Sequence, residues 1–464
     1  MLFRRIESEG IAHYSYIIGD GREAVVIDPR LDCEIYVDDA HFEGYHIHHI
    51  LETHRHEDFV IGSAALAAQT GAVVWHADSD LDYRYGNAVK DGQKWKIGRL
   101  KLEAIHSPGH TPGSMSYLLF DPDGFPWMVF TGDALFAGDV GRVDLSGMDR
   151  APEMAGNLYD TLFNKLLQLS DGVIVCPAHG SGSVCAGDIG ERMWTTIGLE
   201  RRYNPKLQIT DRSQFVSQIA QKLEFPPYFR QMEKLNIEGA SFRMINPVPL
   251  SVREFTGGPQ DAVVLDTRME GAFGASHVPD SLSIWSDGIP SFAGWFLPYD
   301  HPILLVNESN NPAQAARRLL RLGYGNIAGF LSGGMLAWHM AGRESSSVKM
   351  MTVQSLCSFL DRGEPKWILD VRSEAELENS GRLTGACHIH LTELMARMNE
   401  VPRDPTVFIF CGSGLRSMIA ASLLKREGWQ DLVVVLGGMS GWKSVSCPIS
   451  KEMTGSVSNM PTLK

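Results

Sequence analysis

Short apolar runs alternate with turns rich in glycine, aspartate and histidine through the first half of the chain. Residues 24–27, 73–75 and 127–130 combine apolar, β-branched and aromatic side chains, which predicts strands. Apolar residues recur at helical spacing in 62–69 and 158–169, which predicts two helices. The pattern therefore predicts a mixed α/β block at the start of the chain.

The second half contains an internal repeat with a period of roughly 100 residues. Residues 263–268 (VVLDTR) correspond to 367–372 (WILDVR), and 331–338 (LSGGMLAW) correspond to 436–442 (LGGMSGW). In each copy a buried-type strand leads through a loop into a helix. This order predicts two α/β domains with parallel sheets and functional residues at the carboxyl ends of the strands.

Composition limits the class of protein. At 464 residues the chain is too long for one domain, and about three domains are expected. Hydrophobic residues make up 44% and charged residues 21%, as in globular proteins. The net charge of −13 disfavours a nucleic-acid partner, and the apolar runs are too short to cross a membrane.

The cysteines bear on the compartment. There are 7 of them, an odd number without tight spacing, which is not typical of a disulfide scaffold. The first residues (MLFRR) lack the apolar core of a secretory signal. We therefore expect a reducing, cytoplasmic location in which a reactive thiol persists.

Metal-binding side chains stand beside glycine and proline at four places after predicted strands. These places are 53–59 (THRHEDF), 107–114 (SPGHTPGS), 130–134 (FTGDA) and 177–180 (PAHG). Rigid turns can aim imidazoles and carboxylates at one ion, and four such pieces in order predict a metal site.

This set resembles the metallo-β-lactamase family over residues 1–245, which implies an αββα sandwich. The full pattern of that family holds two metals and has histidine where this chain has Phe59. A phenylalanine has no lone pair to donate, so the second position loses a ligand. The departure favours one ion and disfavours hydrolysis by a pair of ions.

Within that family the chain most resembles the persulfide dioxygenases. The resemblance implies one Fe(II) per chain, held by His54, His110 and Asp133, with zinc as the alternative. Two imidazoles and one carboxylate on one face of iron leave neighbouring positions open. A persulfide sulfur and O₂ can then bind side by side.

Four further residues receive roles around this centre. We interpret His56, Asp58 and His179 as groups that orient the ligands or remain from a second site. The resemblance places Arg142 in the substrate pocket, where a guanidinium can bind a carboxylate or phosphate. A structural arginine is the alternative.

Cys411 opens a glycine-rich loop between a predicted strand at 407–410 and a predicted helix at 417–424. Backbone N–H groups of such a loop converge on an anion, which stabilises a bound persulfide or sulfite. Arg416 adds a fixed positive charge. The loop residues expected to bind substrate are Gly412, Ser413, Gly414 and Leu415.

This loop resembles that of rhodanese over residues 350–450, with Cys411 as the persulfide carrier. The six-residue loop has the length found in sulfurtransferases. In the first copy, at 246–345, Asn307 takes the place of the cysteine and 308–312 (ESNNP) contains an acid. We therefore interpret the first copy as an inactive rhodanese-like domain. We expect the tail at 451–464 to be mobile.

The whole chain thus resembles persulfide dioxygenase–rhodanese fusions and has an α/β fold class throughout. The resemblance implies that the first domain oxidises a low-molecular-weight persulfide, of glutathione, coenzyme A or a similar thiol, with O₂ to sulfite. The rhodanese would then transfer sulfur to or from thiosulfate. We expect a homo-oligomer, a dimer or tetramer. A glyoxalase II-type thioester hydrolase and a sulfur-relay protein without oxygenase activity remain as alternatives.

Overall fold

The computed structural model describes residues 1–187, 189–240, 246–362, 367–445 and 447. The tail at 451–464, for which the sequence predicts mobility, lies outside the described residues. Within those described ranges, every helix is too short or too polar to cross a membrane.

Two sheets form the centre of the first domain. The strands of the first sheet are β1 (Leu2–Ser8), β2 (His13–Asp20), β3 (Glu23–Ile27), β4 (His46–Leu51), β5 (Val73–His76) and β6 (Asn87–Ala88), adjacent in that order. Those of the second are β7 (Lys94–Ile97), β8 (Leu100–His106), β9 (Met115–Phe120), β10 (Pro126–Gly132), β11 (Ile174–Pro177) and β12 (Thr195–Thr196), also adjacent in chain order. The three predicted strands lie in β3, β5 and β10.

The helices of this domain are α1 (Glu34–Phe42), α2 (Ser63–Thr70), α3 (Ala151–Asn164), α4 (Ile197–Tyr203), α5 (Arg212–Ile219) and α6 (Phe229–Glu238). The helix predicted at 62–69 matches α2. The helix predicted at 158–169 is placed wrongly, because α3 begins at Ala151 and ends at Asn164. Proline in its first turn does not prevent the helix, since the N–H that proline lacks has no partner there.

Alternation along the strands explains the layers. Tyr16 and Val25 from the first sheet meet Tyr117 and Phe130 from the second in one buried cluster. Helices α3 and α5 bury their apolar residues against the outer face of the second sheet. Helices α1 and α2 pack on β4 of the first sheet. The result is the expected αββα sandwich.

Each half of the repeat forms a five-stranded sheet within the described residues. The strands of the first are β13 (Pro249–Leu250), β14 (Val263–Asp266), β15 (Leu282–Ser283), β16 (Ile303–Val306) and β17 (Ile327–Leu331), in the order β13-β17-β16-β14-β15. Those of the second are β18 (Lys349–Thr352), β19 (Trp367–Asp370), β20 (Cys387–His388), β21 (Val407–Phe410) and β22 (Leu432–Leu436), in the order β18-β22-β21-β19-β20. The strand order is the same in both and all neighbours are parallel, as predicted.

The helices of the first copy are α7 (Val252–Thr256), α8 (Glu270–Ala275), α9 (Ile289–Phe296), α10 (Ala313–Arg321) and α11 (Gly334–Met340). Those of the second are α12 (Val353–Asp361), α13 (Glu374–Ser380), α14 (Leu394–Arg397), α15 (Leu415–Arg426) and α16 (Gly438–Ser444). Both copies contain a buried pair of an aspartate and the arginine two residues later, Asp266 with Arg268 and Asp370 with Arg372. In the second copy Cys357 forms a disulfide with Cys447, which the cysteine spacing did not predict.

The chain divides into two compact units. The first contains residues 1–246 together with 289–299 and 316–325, and the second contains the rest. Arg321 explains why α10 contributes to the first unit: its Nε and Nη2 lie 2.9 and 2.8 Å from the carboxylate oxygens of Asp32, and both residues are buried. The predicted domain boundaries at 245/246 and 345/350 stay a prediction.

Replacing Arg321 with methionine should destabilise the first unit by about 3 kcal/mol, because Asp32 would stay buried without its bidentate partner. Breaking a buried ion pair costs about 3–5 kcal/mol, and we expect the lower value because Arg30 Nε remains 3.2 Å from Asp32. The midpoint of thermal unfolding measures the change. Arg317→Met, at an exposed position of the same helix, is the control. Equal midpoints for the two variants would contradict the account.

Candidate functional sites

The structure brings His54, His110 and Asp133 together although they lie on three separate segments. Asp133 follows β10, and the two histidines follow β4 and β8. The Nε2 atoms of His54 and His110 lie 3.7 and 3.4 Å from Asp133 Oδ2. Metal–nitrogen and metal–oxygen bonds are about 2.0–2.2 Å long, so donors at these separations can share one ion.

Hydrogen bonds at the far side of each ring decide which nitrogen faces this point. His54 Nδ1 lies 2.9 Å from Thr53 Oγ1, which in turn donates to Asp28 Oδ2 at 2.7 Å. His110 Nδ1 lies 2.9 Å from the carbonyl oxygen of Arg142. Both imidazoles therefore present Nε2 to the centre, as metal-binding histidines do.

The donor set fits a metal ion. The Nε2 atoms of His54 and His110 are buried and have no hydrogen-bond partner among the described residues. Burial lowers the pKa of both imidazoles, so they are neutral and have a lone pair to donate. A cation would satisfy atoms that otherwise remain buried without a partner.

A second group of donors lies beside the first, formed by His56, Asp58 and His179. These groups already face others: His56 Nε2 is 3.2 Å from Asp28 Oδ1, and His179 Nε2 is 2.8 Å from Asp58 Oδ2. Phe59 is fully buried here, with its ring centroid 4.6 Å from that of His56. The second group therefore contains an apolar ring next to its histidine.

His179 joins the two groups. Its Nδ1 lies 2.8 Å from Asp133 Oδ1, opposite its approach to Asp58. Burial alone would lower the pKa of His179, but the carboxylates of Asp133 and Asp58 outweigh it and hold that pKa well above its usual range. His179 thus lies between two carboxylates, and its contact with Asp133 Oδ1 holds that carboxylate in place.

Two residues near the centre were missed by the sequence analysis. Glu57 Oε2 lies 3.9 Å from His110 Nε2, and the sulfur of Cys185 lies within 4.8 Å of donor atoms of His110 and Asp133. Burial raises the pKa of Glu57 to about 8 and also raises the pKa of the Cys185 thiol. Glu57 was passed over because the roles in its loop were assigned to His54, His56 and Asp58, and nothing near Cys185 in sequence marks it as a donor.

Arg142 lies next to the centre but its guanidinium is fully engaged. Nε and Nη2 donate to the carboxylate of Asp144 at 2.7 and 2.8 Å, and Nη1 donates to the carbonyl oxygens of Val184 and Glu224. The side chain is buried and ties three loop segments together. Its predicted contact with a substrate stays a prediction.

A cavity of about 500 Å³ adjoins Glu57 and Thr111, the residue after His110. Three arginines line it, Arg55, Arg150 and Arg230. Because its lining comes from segments far apart in sequence, no local motif could have indicated it.

The loop that bears His54 and His56 is held by residues outside the metal motif. Asn236 of α6 donates to the carbonyl oxygens of His56 and Phe59 at 2.7 and 2.8 Å and accepts from the N–H of Ile61 at 2.9 Å. The carbonyl oxygen of Arg321 accepts from the N–H of Val60, the residue before Ile61, at 2.8 Å. Asn236 is buried, so its amide acts as a brace for the loop.

In the second compact unit, Cys411 lies between β21 and α15 as the sequence predicts. The thiol is buried, and its sulfur accepts from the N–H of Gly414 at 3.1 Å. The start of α16 packs against this loop, where Met439 N–H donates to the carbonyl oxygen of Cys411 at 2.9 Å. Gly438 has φ +45°, and a Cβ there would collide with the loop, which explains the paired glycines of the motif.

Arg416 forms a pair that the sequence did not indicate. Its Nη1 and Nη2 each lie 2.6 Å from the carboxylate oxygens of Glu376 on α13. Burial alone would raise the pKa of Glu376, but the hydrogen bonds from Arg416 outweigh it and lower that pKa to about 2. The positive charge expected beside Cys411 is therefore balanced by an acid.

In the first copy of the repeat, the loop at the corresponding place is held by hydrogen bonds from the residue that replaces the cysteine. Asn307 donates from Nδ2 to the carbonyl oxygens of Ser309 and Asn311 at 3.0 and 3.2 Å. Thr267 Oγ1 donates to Asn307 Oδ1 at 2.6 Å. The Asn307 side-chain amide thus forms hydrogen bonds to its own loop and to Thr267, at the place where the second copy has its thiol.

Comparisons with known proteins cover both halves of the chain. The metallo-beta-lactamase superfamily model matches residues 9–179, and the rhodanese-like domain model matches 252–341 and 352–445. The mitochondrial persulfide dioxygenase ETHE1 of Bos taurus is 30% identical over 235 residues, which are 49% of this chain and 83% of that protein. The hydroxyacylglutathione hydrolase GloC of Haemophilus influenzae is 29% identical over 220 residues, 42% of this chain and 91% of that protein.

Among solved structures, a metallo-beta-lactamase from Staphylococcus aureus is similar to this chain. The two chains superpose with a TM-score of 0.65 and are 28% identical. The match covers 72% of this chain and 99% of the other.

Asn236→Ala should weaken metal binding by roughly 10- to 100-fold, because the loop bearing His54 would lose three hydrogen bonds while keeping its ligands. Competition with a chelator measures the affinity. Asn157→Ala, on α3 away from the loop, should bind metal as the unmodified protein does. If Asn236→Ala binds the metal with unchanged affinity, Asn236 does not hold the loop that bears His54.

Glu376→Gln should reduce stability only where the carboxylate is ionised. The pKa of Glu376 is about 2 in the folded protein, against an ordinary value of 4.5. Its ion pair therefore stabilises the fold above about pH 4.5, and this stabilisation disappears as the pH falls towards 2. Thermal unfolding at about pH 6 and pH 3 should show a difference from the unmodified protein that shrinks on acidification. Glu378→Gln, an exposed neighbour on α13, should show no such trend.

Proposed function

The chain belongs to the persulfide dioxygenase family of the metallo-beta-lactamase superfamily, with two rhodanese-like domains behind that domain, and from this we propose a bifunctional enzyme of sulfide detoxification. The first domain would oxidise a low-molecular-weight persulfide with O₂ and water to a thiol and sulfite. The last domain would transfer sulfane sulfur to sulfite, giving thiosulfate, or run the reverse. Glutathione and coenzyme A persulfides are the candidate substrates.

The observation that carries the proposal is the convergence of two neutral imidazoles and one carboxylate on a buried point. His54, His110 and Asp133 would hold one Fe(II). When bound, the iron would supply adjacent positions for a persulfide sulfur and O₂ and conduct electrons between them. Thr53 and the Arg142 carbonyl keep the rings turned towards it, and burial excludes bulk water.

The cavity beside Glu57 is the candidate place for the substrate, because Glu57, which lines it, has Oε2 3.9 Å from His110 Nε2. Arg55, Arg150 and Arg230 line this cavity and could bind the acidic groups of the carrier thiol. Each of these arginines also faces an acid of this chain. Such mixed charge suits a carrier with both carboxylate and ammonium groups, as glutathione has. We propose it as the persulfide pocket.

In the last domain, Cys411 would accept sulfane sulfur and pass it on. Its sulfur accepts from the N–H of Gly414, directly before α15. Backbone N–H groups of this loop can bind the anionic persulfide or sulfite. The persulfide of Cys411 would give its outer sulfur to sulfite, and the Cys411 thiolate would leave. The covalent link between the domains raises the local concentration of the sulfite that they share.

Thioester hydrolysis is the second candidate, favoured by the similarity to GloC and by the group of His56, Asp58 and His179. That reaction, run by a pair of ions, would need the second position filled. Phe59 packs against His56 there and donates nothing.

Purified protein should contain about one iron per chain, consume O₂ when given glutathione persulfide, and release sulfite. Cys411→Ser should abolish sulfur transfer between thiosulfate and thiols while leaving O₂ uptake intact. Cys387→Ser, in the same domain outside the loop, is the matched control and should change neither activity.

Stoichiometric zinc without O₂ uptake would overturn the oxygenase. Anaerobic hydrolysis of lactoylglutathione by such a preparation would instead establish the hydrolase. Loss of O₂ uptake in Cys411→Ser would show that the two sites are not independent.

A further inference from the structure

A cysteine lies unexpectedly close to the metal centre. Cys185 belongs to the loop after β11 and is buried beside Phe136 and Ile189. Its sulfur lies within 4.8 Å of a donor nitrogen of His110 and a carboxylate oxygen of Asp133. It therefore stands beside two of the three buried donors that would hold the metal.

The fold holds this cysteine and His110 through one residue. The N–H of Arg142 donates to the carbonyl oxygen of Cys185 at 3.1 Å, and the carbonyl oxygen of Arg142 holds His110 Nδ1. The guanidinium of Arg142 also donates to the carbonyl oxygen of Val184 at 3.1 Å. Cys185 N–H donates to Ser183 Oγ at 3.1 Å, which fixes the turn locally. The thiol and the imidazole are thus positioned together.

The neighbours of the thiol point to a ligand. His110 Nε2 is buried, lies 3.4 Å from Asp133 Oδ2, and has no hydrogen-bond partner within the described ranges. A structural cysteine needs only apolar surroundings, whereas this one faces Asp58, Asp133 and His179 and forms a hydrogen bond with His179. A thiolate is a strong ligand for iron, cobalt and zinc, and a bound cation displaces the proton of the thiol.

We propose that Cys185 is a fourth protein ligand of the metal centre, a thiolate that binds the ion with His54, His110 and Asp133 until substrate arrives. This inference rests on the proposed function, because the metal is the one that the oxygenase requires. Arg142 would then position both ligands, His110 through its carbonyl oxygen and Cys185 through its N–H.

The ligand has a consequence for substrate entry. An incoming persulfide would put its terminal sulfur in the place of the Cys185 sulfur, and its proton would pass to Cys185. One sulfur ligand would replace another, so no sulfur would be oxidised or reduced.

Cobalt is the probe for this ligand. The full chain is stripped of metal with a chelator and loaded with Co(II) without air. We expect thiolate-to-cobalt charge-transfer absorption in the near ultraviolet, lost in Cys185→Ala and kept in Cys176→Ala and Cys411→Ala. Cys176 is the matched control, a buried cysteine of the same domain on β11.

A spectrum of the unmodified protein without this absorption would overturn the proposal, as would absorption that persists in Cys185→Ala. X-ray absorption on the unmodified iron-loaded protein tests the same point without any variant. A sulfur neighbour at about 2.3 Å is expected, and a first shell of nitrogen and oxygen alone would contradict it.

The result is separate from the fate of the oxygenase. Charge-transfer absorption without O₂ uptake would keep Cys185 as a ligand and remove the proposed reaction. O₂ uptake without the absorption would do the reverse.

Discussion

Three donors buried around one point are the constraint on which the first domain depends. A buried polar atom without a partner costs about 1–3 kcal/mol, and His54 and His110 each bury such an atom. The neighbouring side chains orient the donor atoms towards one point and leave them without another hydrogen-bond partner among the described residues. Asp28 and Thr53 engage one ring from behind, and His179 bridges Asp133 to the neighbouring carboxylate. A bound cation would offset the cost that the polypeptide alone cannot.

The same loop is braced from distant parts of the chain. Asn236 comes from a helix about 180 residues later, and Arg321 comes from the copy of the repeat that has no thiol. The buried pair of Arg321 and Asp32 fixes this contact within the first compact unit. The copy without the thiol thus has a structural role, because one of its helices supports the loop that presents the candidate metal ligands.

Much of the fold follows from local patterns. The strands at 24–27, 73–75 and 127–130 and the strand–loop–helix order of the repeat were predictable because alternation and apolar runs are read within a few residues. The start of α3 was not, because its first turn contains proline and its apolar face is recognised only against the second sheet. The disulfide of Cys357 with Cys447 was also beyond prediction, since the two cysteines are 90 residues apart in sequence.

The sequence by itself determined the chemistry available to this protein. It specified two histidines and an aspartate beside rigid turns, one thiol in a glycine-rich loop, and Phe59 where a ligand is expected. Only the tertiary structure decided what those groups face. It placed Cys185 beside the metal centre and Glu376 on Arg416, because such neighbours meet through packing of elements far apart in the chain. Residue types are local information, whereas distances between donors depend on the whole fold.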